Sequence, residues 1–228
     1  MRTIAIIQAR MGSTRLPGKS MMKLNGEPLV AHVIERVMQS KVDDVAVTVP
    51  LTGEDGQLIT AVRELGVEVV SIPCNPNDLL LRYAHAASWM HADTVVRVPA
   101  DNPCVDPDEI DRIVDSYTPG QWLTSNLDQN ILNNGYPGGL GAEVYDVDFL
   151  YWLYETVTDA RQKEHPHLWA FDNHCVHTIP APAAIARPQL HFDVNTQHDF
   201  DYIDDIYRHM PENFRTKDML AYLDGKSA

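Results

Sequence analysis

A short cationic segment near the start of the sequence holds the residues best suited to bind a polyanion. Residues 10–19 read RMGSTRLPGK and directly follow the apolar run 3–7, whose length and β-branched residues predict a buried strand. The first 26 residues include five Lys and Arg residues and no acid, although the whole chain has a formal net charge of -14. Lys and Arg side chains and free backbone N–H groups are the usual phosphate ligands in proteins, so the segment predicts a phosphate-binding loop. Its candidate residues are Arg10, Gly12, Ser13, Arg15 and Lys19.

The spacing within this cationic loop differs from that of a P-loop, G-x-x-x-x-G-K-[ST]. Gly12 and Gly18 are separated by five residues instead of four, and Pro17 removes one of the amide donors that the P-loop needs. No helical start signal follows Lys19 before the next turn. The sequence therefore favours a phosphate-binding loop of another kind.

Strands and helices alternate through the first half of the chain and predict the framework that holds this loop. Further strands are expected at 45–49, 67–70 and 94–98, and helices at 29–39, 54–65 and 79–91. This alternation is typical of an α/β fold with a doubly wound, mostly parallel sheet, and the length suits a single domain, 1–228. Because such sheets bind ligands at the carboxyl ends of their strands, the loops at that edge are the ones expected to carry function.

Asp101 follows the strand expected at 94–98 and is the strongest candidate for a metal ligand. A carboxylate on the same edge as a phosphate-binding loop suits a divalent ion that bridges phosphates. Asp106, Pro107 and Glu109 already supply the capping signals of the next helix, so Asp101 is not needed as a cap.

The motif R-x-G-S-x-R-L-P-G-K after the run IIQA closely resembles the cytidylyltransferases that activate acidic sugars. The similarity is to the spore-coat-polysaccharide type and to the acylneuraminate and 3-deoxy-manno-octulosonate cytidylyltransferases, and it covers nearly the whole chain. It implies a Rossmann-like fold of the nucleotide-diphospho-sugar transferase type, with a projecting dimerisation and substrate arm around 127–170. It also implies a homodimer that uses Mg²⁺ to transfer CMP from CTP to an acidic sugar or similar anionic acceptor, releasing pyrophosphate in surface polysaccharide or glycoconjugate biosynthesis.

The resemblance also assigns roles to the candidate residues on the nucleotide side. Arg10, Arg15 and Lys19 would hold the triphosphate, with catalytic roles for Arg10, Lys19 and Asp101, and Asp101 would bind the metal. Arg82 would contact the nucleotide; the alternative for Arg82 is a solvated cation on a helix face.

The second metal ligand is a point at which the sequence departs from the family pattern. The family has an aspartate where this chain has Asn195. Asp193 lies two residues earlier, hence on the same face of a strand expected at 191–196, and is the candidate replacement.

On the acceptor side the resemblance implies substrate-binding roles for a scattered set of residues. These are Asn126, Tyr136, Glu143, Glu164 and His165. The family usually has acids where Gly138 and Gly141 stand here, so the chemistry of the acceptor pocket is expected to differ. Because His174, Cys175 and His177 follow Glu164 and His165, a structural zinc site and an ordinary polar surface remain alternatives for this pair.

Composition excludes several other classes of protein. The strong negative charge, with no basic stripe beyond the cationic loop, argues against a nucleic-acid partner. No apolar run reaches the length needed to cross a bilayer, and three widely spaced cysteines suggest reduced thiols, so we expect a cytoplasmic protein without a membrane partner. Two other functions remain open: a sugar-1-phosphate nucleotidylyltransferase that uses another nucleotide, and a nucleotide-binding module without catalytic activity.

Overall fold

The computed structural model describes residues 1–127 and 133–226. Seven strands form one central sheet in the order β5-β4-β1-β6-β8-β7-β9. They are β1 (Thr3–Gln8), β4 (Asp44–Pro50), β5 (Glu68–Ile72), β6 (Thr94–Pro99), β7 (Leu123–Ser125), β8 (Glu143–Asp146) and β9 (Val176–Thr178). The first four strands are parallel, and β8 is antiparallel to both of its neighbours. Two short strands, β2 (Lys23–Leu24) and β3 (Glu27–Pro28), form a separate hairpin.

Helices cover both faces of this sheet, as its almost uninterrupted apolar strands require. They are α1 (Leu29–Val37), α2 (Gly56–Glu64), α3 (Leu79–Trp89), α4 (Pro107–Ser116), α5 (Val147–Thr156), α6 (Ala160–Glu164), α7 (His167–Asp172), α8 (Gln197–His209) and α9 (Thr216–Lys226). One apolar core lies under α1, α2, α4, α8 and α9, and the other lies under α3, α5 and α7. The predicted doubly wound, mostly parallel α/β fold is therefore confirmed. None of the helices among residues 1–127 and 133–226 is long and apolar enough to cross a membrane.

The order of the strands places two loops side by side at the carboxyl edge of the sheet. The chain runs from β1 outward to β4 and β5 and then returns to β6 on the other side of β1. Gln8 pairs with Pro99 at the ends of β1 and β6, so the loops that follow these two strands start next to each other. Such a reversal of strand order is where α/β sheets bind ligands, and here it brings the cationic loop beside Asp101.

The helix boundaries follow the local capping signals. Asp78 accepts a hydrogen bond from the amide of Leu81 at the start of α3, and Asp106 accepts one from the amide of Asp108 at the start of α4. Thr196 forms a capping box with Asp199 at the start of α8. Asp106, which the sequence assigned to the cap of α4, is thus used as its cap.

One expectation differs from the structure. The strand expected at 191–196 is a segment with one isolated bridge, between Gly138 and His191, because its backbone bonds reach loops and not a strand. The amide of Val194, for instance, donates to the carbonyl of Asp101.

Of the arm predicted around 127–170, residues 128–132 lie outside the described residues. In the rest of that range, β8 is an inner strand of the sheet and α5 packs against α3. The arm itself stays a prediction.

Candidate active site

The cationic loop folds back on itself and presents backbone donors. Gly18, with φ of 73°, adopts the left-handed conformation that glycine favours, and its amide donates to the carbonyl of Met11 at 2.9 Å. The amides of Gly12, Thr14 and Arg15 have no hydrogen-bond partner among the described residues. A loop with free N–H groups and cationic side chains provides the donors that a polyphosphate needs.

Arg10 connects this loop to two other segments of the cleft. Its guanidinium donates to the carbonyl of Pro76 at 3.0 Å and to the side chain of Asn77, both in the loop after β5. It also lies 3.5 Å from a carboxylate oxygen of Glu164 at the end of α6. Arg10 is also one of the residues that line the cleft.

Lys19 lies against the residues predicted to bind the metal. Its Nζ is 2.7 Å from Asp101 Oδ2, 2.6 Å from the carbonyl oxygen of Val194 and 3.4 Å from Asn195 Oδ1. Burial and the neighbouring Asp101 raise the pKa of Asp193 above its ordinary value. The acidic end of the cleft thus places the Asp101 carboxylate, an amide oxygen and a carbonyl oxygen around one ammonium group, and Asp193 accepts a hydrogen bond from Asn195 beside them.

Arg82 is buried, which excludes a solvated cation on a helix face. Only 1% of the residue is exposed, and its guanidinium donates to the carbonyls of Ala9, Thr48 and Pro76 at 3.1–3.4 Å. Burial lowers the pKa of Arg82 from its ordinary value, and its Nε has no hydrogen-bond partner in the described structure. Arg82 therefore helps to form the floor of the cleft and braces the ends of β1 and β4.

Glu164 and His165 also line the cleft, and they lie at and just after the end of α6. Burial lowers the pKa of His165, and His167 and Arg97 lower it further because both can carry positive charge nearby. The residues that the structure describes include no group of three or more His, Cys, Asp and Glu side chains placed to hold a metal ion. The zinc alternative therefore has no support in this part of the chain.

Glu143 lies beneath the cleft, where it forms a buried ion pair. It is fully buried, with Oε2 accepting from Arg97 Nη1 at 2.7 Å and from the hydroxyl of Tyr145 at 3.2 Å. His167 Nδ1 is 3.1 Å from Oε1, although without the alignment of a hydrogen bond. Burial opposes ionisation of this carboxyl, but Arg97 and His167 outweigh it and lower the pKa of Glu143 to about 2.

Asn126 and Tyr136 also lie outside the cleft lining. Asn126 Oδ1 accepts from the amide of Ala142 at 2.7 Å, and a Cβ atom at Gly141 would lie 2.1 Å from the same oxygen. This close approach is a physical reason for glycine at 141. The hydroxyl of Tyr136 donates to Glu109 at 2.5 Å inside the core. Gly12 is not among the residues that line the cleft either, although it lies in the exposed part of the cationic loop.

The cleft that these residues form has a volume of about 510 Å³. It brings together Arg10, Ser13, Arg15, Lys19, Arg82, Asp101, Glu164, His165 and Asp193 from the residues that the sequence singled out. Sequence reasoning missed Gln8 and Arg97, which also line it, and considered His167, another lining residue, only as part of the zinc alternative. Arg97 had one usable signal: a lone cation in the apolar strand TVVRV must be paired or must serve a site.

An α/β sheet with a cationic, glycine-containing loop beside a carboxylate at the reversal of strand order is suited to binding the phosphates of a nucleotide. A protein-family model described as cytidylyltransferase matches residues 4–135, more than half of the chain. The chain therefore belongs to the cytidylyltransferase family.

Proteins that are similar to this chain include other cytidylyltransferases. An uncharacterized protein of Methanocaldococcus jannaschii is 27% identical over 98% of this chain and 91% of its own length. The 3-deoxy-manno-octulosonate cytidylyltransferase of Anaeromyxobacter dehalogenans is 36% identical, but the match spans 55% of this chain and only 51% of that enzyme. A solved cytidylyltransferase from Leptospira borgpetersenii has the same fold, with a TM-score of 0.91 over 100% of this chain and 95% of its own at 23% identity.

Proposed function

We propose that the protein transfers CMP from CTP to an acidic sugar or similar anionic acceptor in a Mg²⁺-dependent reaction that releases pyrophosphate. The observation that carries the proposal is the contact between the cationic loop and the strand-end carboxylate, Lys19 Nζ to Asp101 Oδ2 at 2.7 Å. Nucleotidyl transfer needs phosphate-binding groups and a metal-binding carboxylate close together. The fold brings Lys19 and Asp101 into contact although they are 82 positions apart in the sequence. A role in surface polysaccharide or glycoconjugate biosynthesis is part of the proposal.

On the nucleotide side, Arg10, Arg15 and the free amides of the cationic loop would hold the triphosphate. Transfer of this kind depends on positioning and charge neutralisation, because pyrophosphate is a stable leaving group once its charge is balanced. Lys19 contributes its charge from beside Asp101. No strong general base is required by this scheme.

The acidic end of the cleft fits a divalent ion. Asp101 and Asp193 offer carboxylate oxygens, the donors that Mg²⁺ prefers. The two side chains would hold the metal together with phosphate oxygens and water. When bound, Mg²⁺ would neutralise phosphate charge and orient the triphosphate.

On the acceptor side, Glu164 and His165 form the wall that the acceptor would contact. Arg97 and His167 extend this wall, and Glu143 holds both of them in place from below. Asn126 and Tyr136 would shape the acceptor side through the backbone and the core instead of direct contact. The assembly proposed for this site is a homodimer.

Removing the Arg10 guanidinium should weaken CTP binding. Arg10→Ala deletes a charge-assisted contact to the triphosphate, which costs about 1.5–3 kcal/mol, or roughly a tenfold to hundredfold rise in Kd. Calorimetric titration with CTP at two salt concentrations measures the change. Lys23→Ala is the matched control, because it deletes an exposed cation of the same N-terminal region that does not line the cleft. Equal CTP affinity in Arg10→Ala and Lys23→Ala would contradict the assignment.

The proposed cytidylyltransferase should prefer CTP strongly over UTP. Gln8 Oε1 is buried at the cleft without a hydrogen-bond partner in the described structure, and it offers an acceptor to the cytosine amino group. Uracil presents a carbonyl there and would leave the acceptor unpaired, so kcat/KM should fall at least about 100-fold. Pyrophosphate release with CTP, UTP, ATP and dTTP measures the preference. Equal rates with CTP and UTP would favour a sugar-1-phosphate nucleotidylyltransferase instead.

A further inference from the structure

The Lys19 ammonium occupies the place among the acidic residues that a cation would take. An ammonium group has three N–H donors, and three protein oxygens surround this one at hydrogen-bonding distance. They belong to Asp101, Val194 and Asn195, with Nζ–O distances of 2.7, 2.6 and 3.4 Å. The Lys19 side chain is only 14% exposed. The positive charge is therefore fixed beside Asp101 by groups of the protein itself.

The Asn195 side chain contacts a cation through its oxygen and a carboxylate through its nitrogen. Its Oδ1 accepts from Arg15 Nη2 at 2.7 Å and lies toward Lys19, while its Nδ2 donates to Asp193 Oδ2. An aspartate here would face the two cations equally well, but it would bring a second carboxylate against Asp193. The amide thus serves as a link between the cations of the loop and the Asp193 carboxylate.

We propose that Lys19, held by Asn195, replaces a second divalent cation, so that the nucleotide complex of this protein binds one divalent ion, on Asp101 and Asp193. Asn195 is a positioning residue in this scheme. Its oxygen is already used by Arg15, which makes it unavailable to a metal unless Arg15 moves. The inference rests on the proposed function for the identity of the nucleotide, but the role of Lys19 is testable without any nucleotide.

Electrostatics supports a single divalent ion. A second one near Asn195 would lie close to both the Lys19 ammonium and the Arg15 guanidinium, and charges of like sign at such short separation repel each other strongly. Asp101, Asp193 and the triphosphate together carry more negative charge than one divalent ion can balance. The rest of that negative charge must be balanced by cations of the protein. Lys19, Arg15 and Arg10 supply this positive charge permanently.

The nucleotide-free protein tests the role of Lys19 directly. Binding of Mn²⁺ is measured by the EPR signal of the free ion for the parent, Lys19→Met and Arg10→Met, the last being the control that removes another cation of the same cleft. Lys19→Met is expected to bind Mn²⁺ at least about tenfold more tightly than the parent, because it empties the cation position beside Asp101. Arg10→Met should match the parent. If Lys19→Met binds Mn²⁺ no better than Arg10→Met does, the proposal is overturned.

Counting the ions in the nucleotide complex tests the same proposal on the unmodified protein. With protein in excess over α,β-methylene CTP, the parent should hold one Mn²⁺ per nucleotide, and Lys19→Met, which vacates the cation position beside Asp101, should hold two. Two Mn²⁺ ions in the parent complex, or one in Lys19→Met, would overturn the proposal. A parent that binds no CTP analogue at all contradicts the proposed function, and the nucleotide-free experiment then still decides the role of Lys19.

Discussion

Asp101→Asn is expected to reduce pyrophosphate release at least about 1,000-fold while the protein stays folded. The substitution keeps the size of the side chain and removes the charge that a metal ion at the end of β6 needs. Catalysis by positioning and charge neutralisation loses most of its rate when the metal is misplaced, and deletion of a single electrostatic group in an active site already costs about 100- to 1,000-fold. The rate is measured with CTP and an acidic sugar over a range of Mg²⁺ concentrations.

Asp115→Asn is the matched control for this experiment. Asp115 also forms an ion pair with a lysine, Lys41, but it is 72% exposed and lies away from the cleft. Thermal unfolding of both variants should stay near that of the parent, because an asparagine at 101 still offers Lys19 an acceptor oxygen and the exposed Asp115–Lys41 pair contributes little. Asp101→Asn activity above a tenth of the parent value at saturating Mg²⁺ would show that the metal binds elsewhere.

A substitution of Asp193 tests the same metal site through the Mg²⁺ concentration that the reaction requires. Asp193→Asn is expected to raise the Mg²⁺ concentration needed for half-maximal rate, because the ion would lose one of its two carboxylates. If Asp193→Asn behaves like the parent while Asn195→Ala is inactive, the metal lies at the position where the resemblance places the second aspartate.

The placement of the cationic loop beside Asp101 could be predicted because its signals are local. A run of cations next to a strand, in an otherwise acidic chain, needs no tertiary contact to be recognised, and alternating strands and helices decide which edge of the sheet it occupies. Asp101 was found in the same way, since Asp106 accounts for the capping of α4. These inferences depend on neighbours in sequence.

The other side of the site depends on neighbours that are distant in sequence. In the sequence, Glu143 is a polar residue that follows a loop. Only the register of β6 and β8 shows that its side chain contacts Arg97, 46 residues earlier. The burial of Arg82 follows from how α3 packs on the ends of β1 and β4, which helical periodicity cannot reveal. The segment 191–196 has the pattern of a strand, but its partners are loops, so the ladder does not form.

Glu143→Gln is expected to be the most destabilising conservative change in the site. The glutamine fills the same space, but it leaves the Arg97 guanidinium, whose side chain is 6% exposed, without a buried counter-ion. Removing one partner of a buried ion pair costs about 3–5 kcal/mol. The pKa of Glu143, lowered to about 2 from an ordinary 4.5 by Arg97 and His167, shows in the same way that the folded protein favours the carboxylate. The midpoint of thermal unfolding should therefore fall by about 10 °C for a domain of this size.

The same pair predicts how stability depends on pH. Because the pKa of Glu143 is lower in the folded protein than in the unfolded chain, its contribution is complete above pH about 4.5 and is lost as the pH falls toward 2. Urea unfolding of the parent and Glu143→Gln at pH 7, 4 and 3 should show a stability difference that shrinks as the pH decreases. The double variant Arg97→Gln/Glu143→Gln should be less destabilised than the sum of the two single variants, because it leaves no unpaired charge. A stability difference that is constant from pH 7 to pH 3, with additive single and double variants, would show that the Glu143 carboxylate and Arg97 are not coupled in the folded protein.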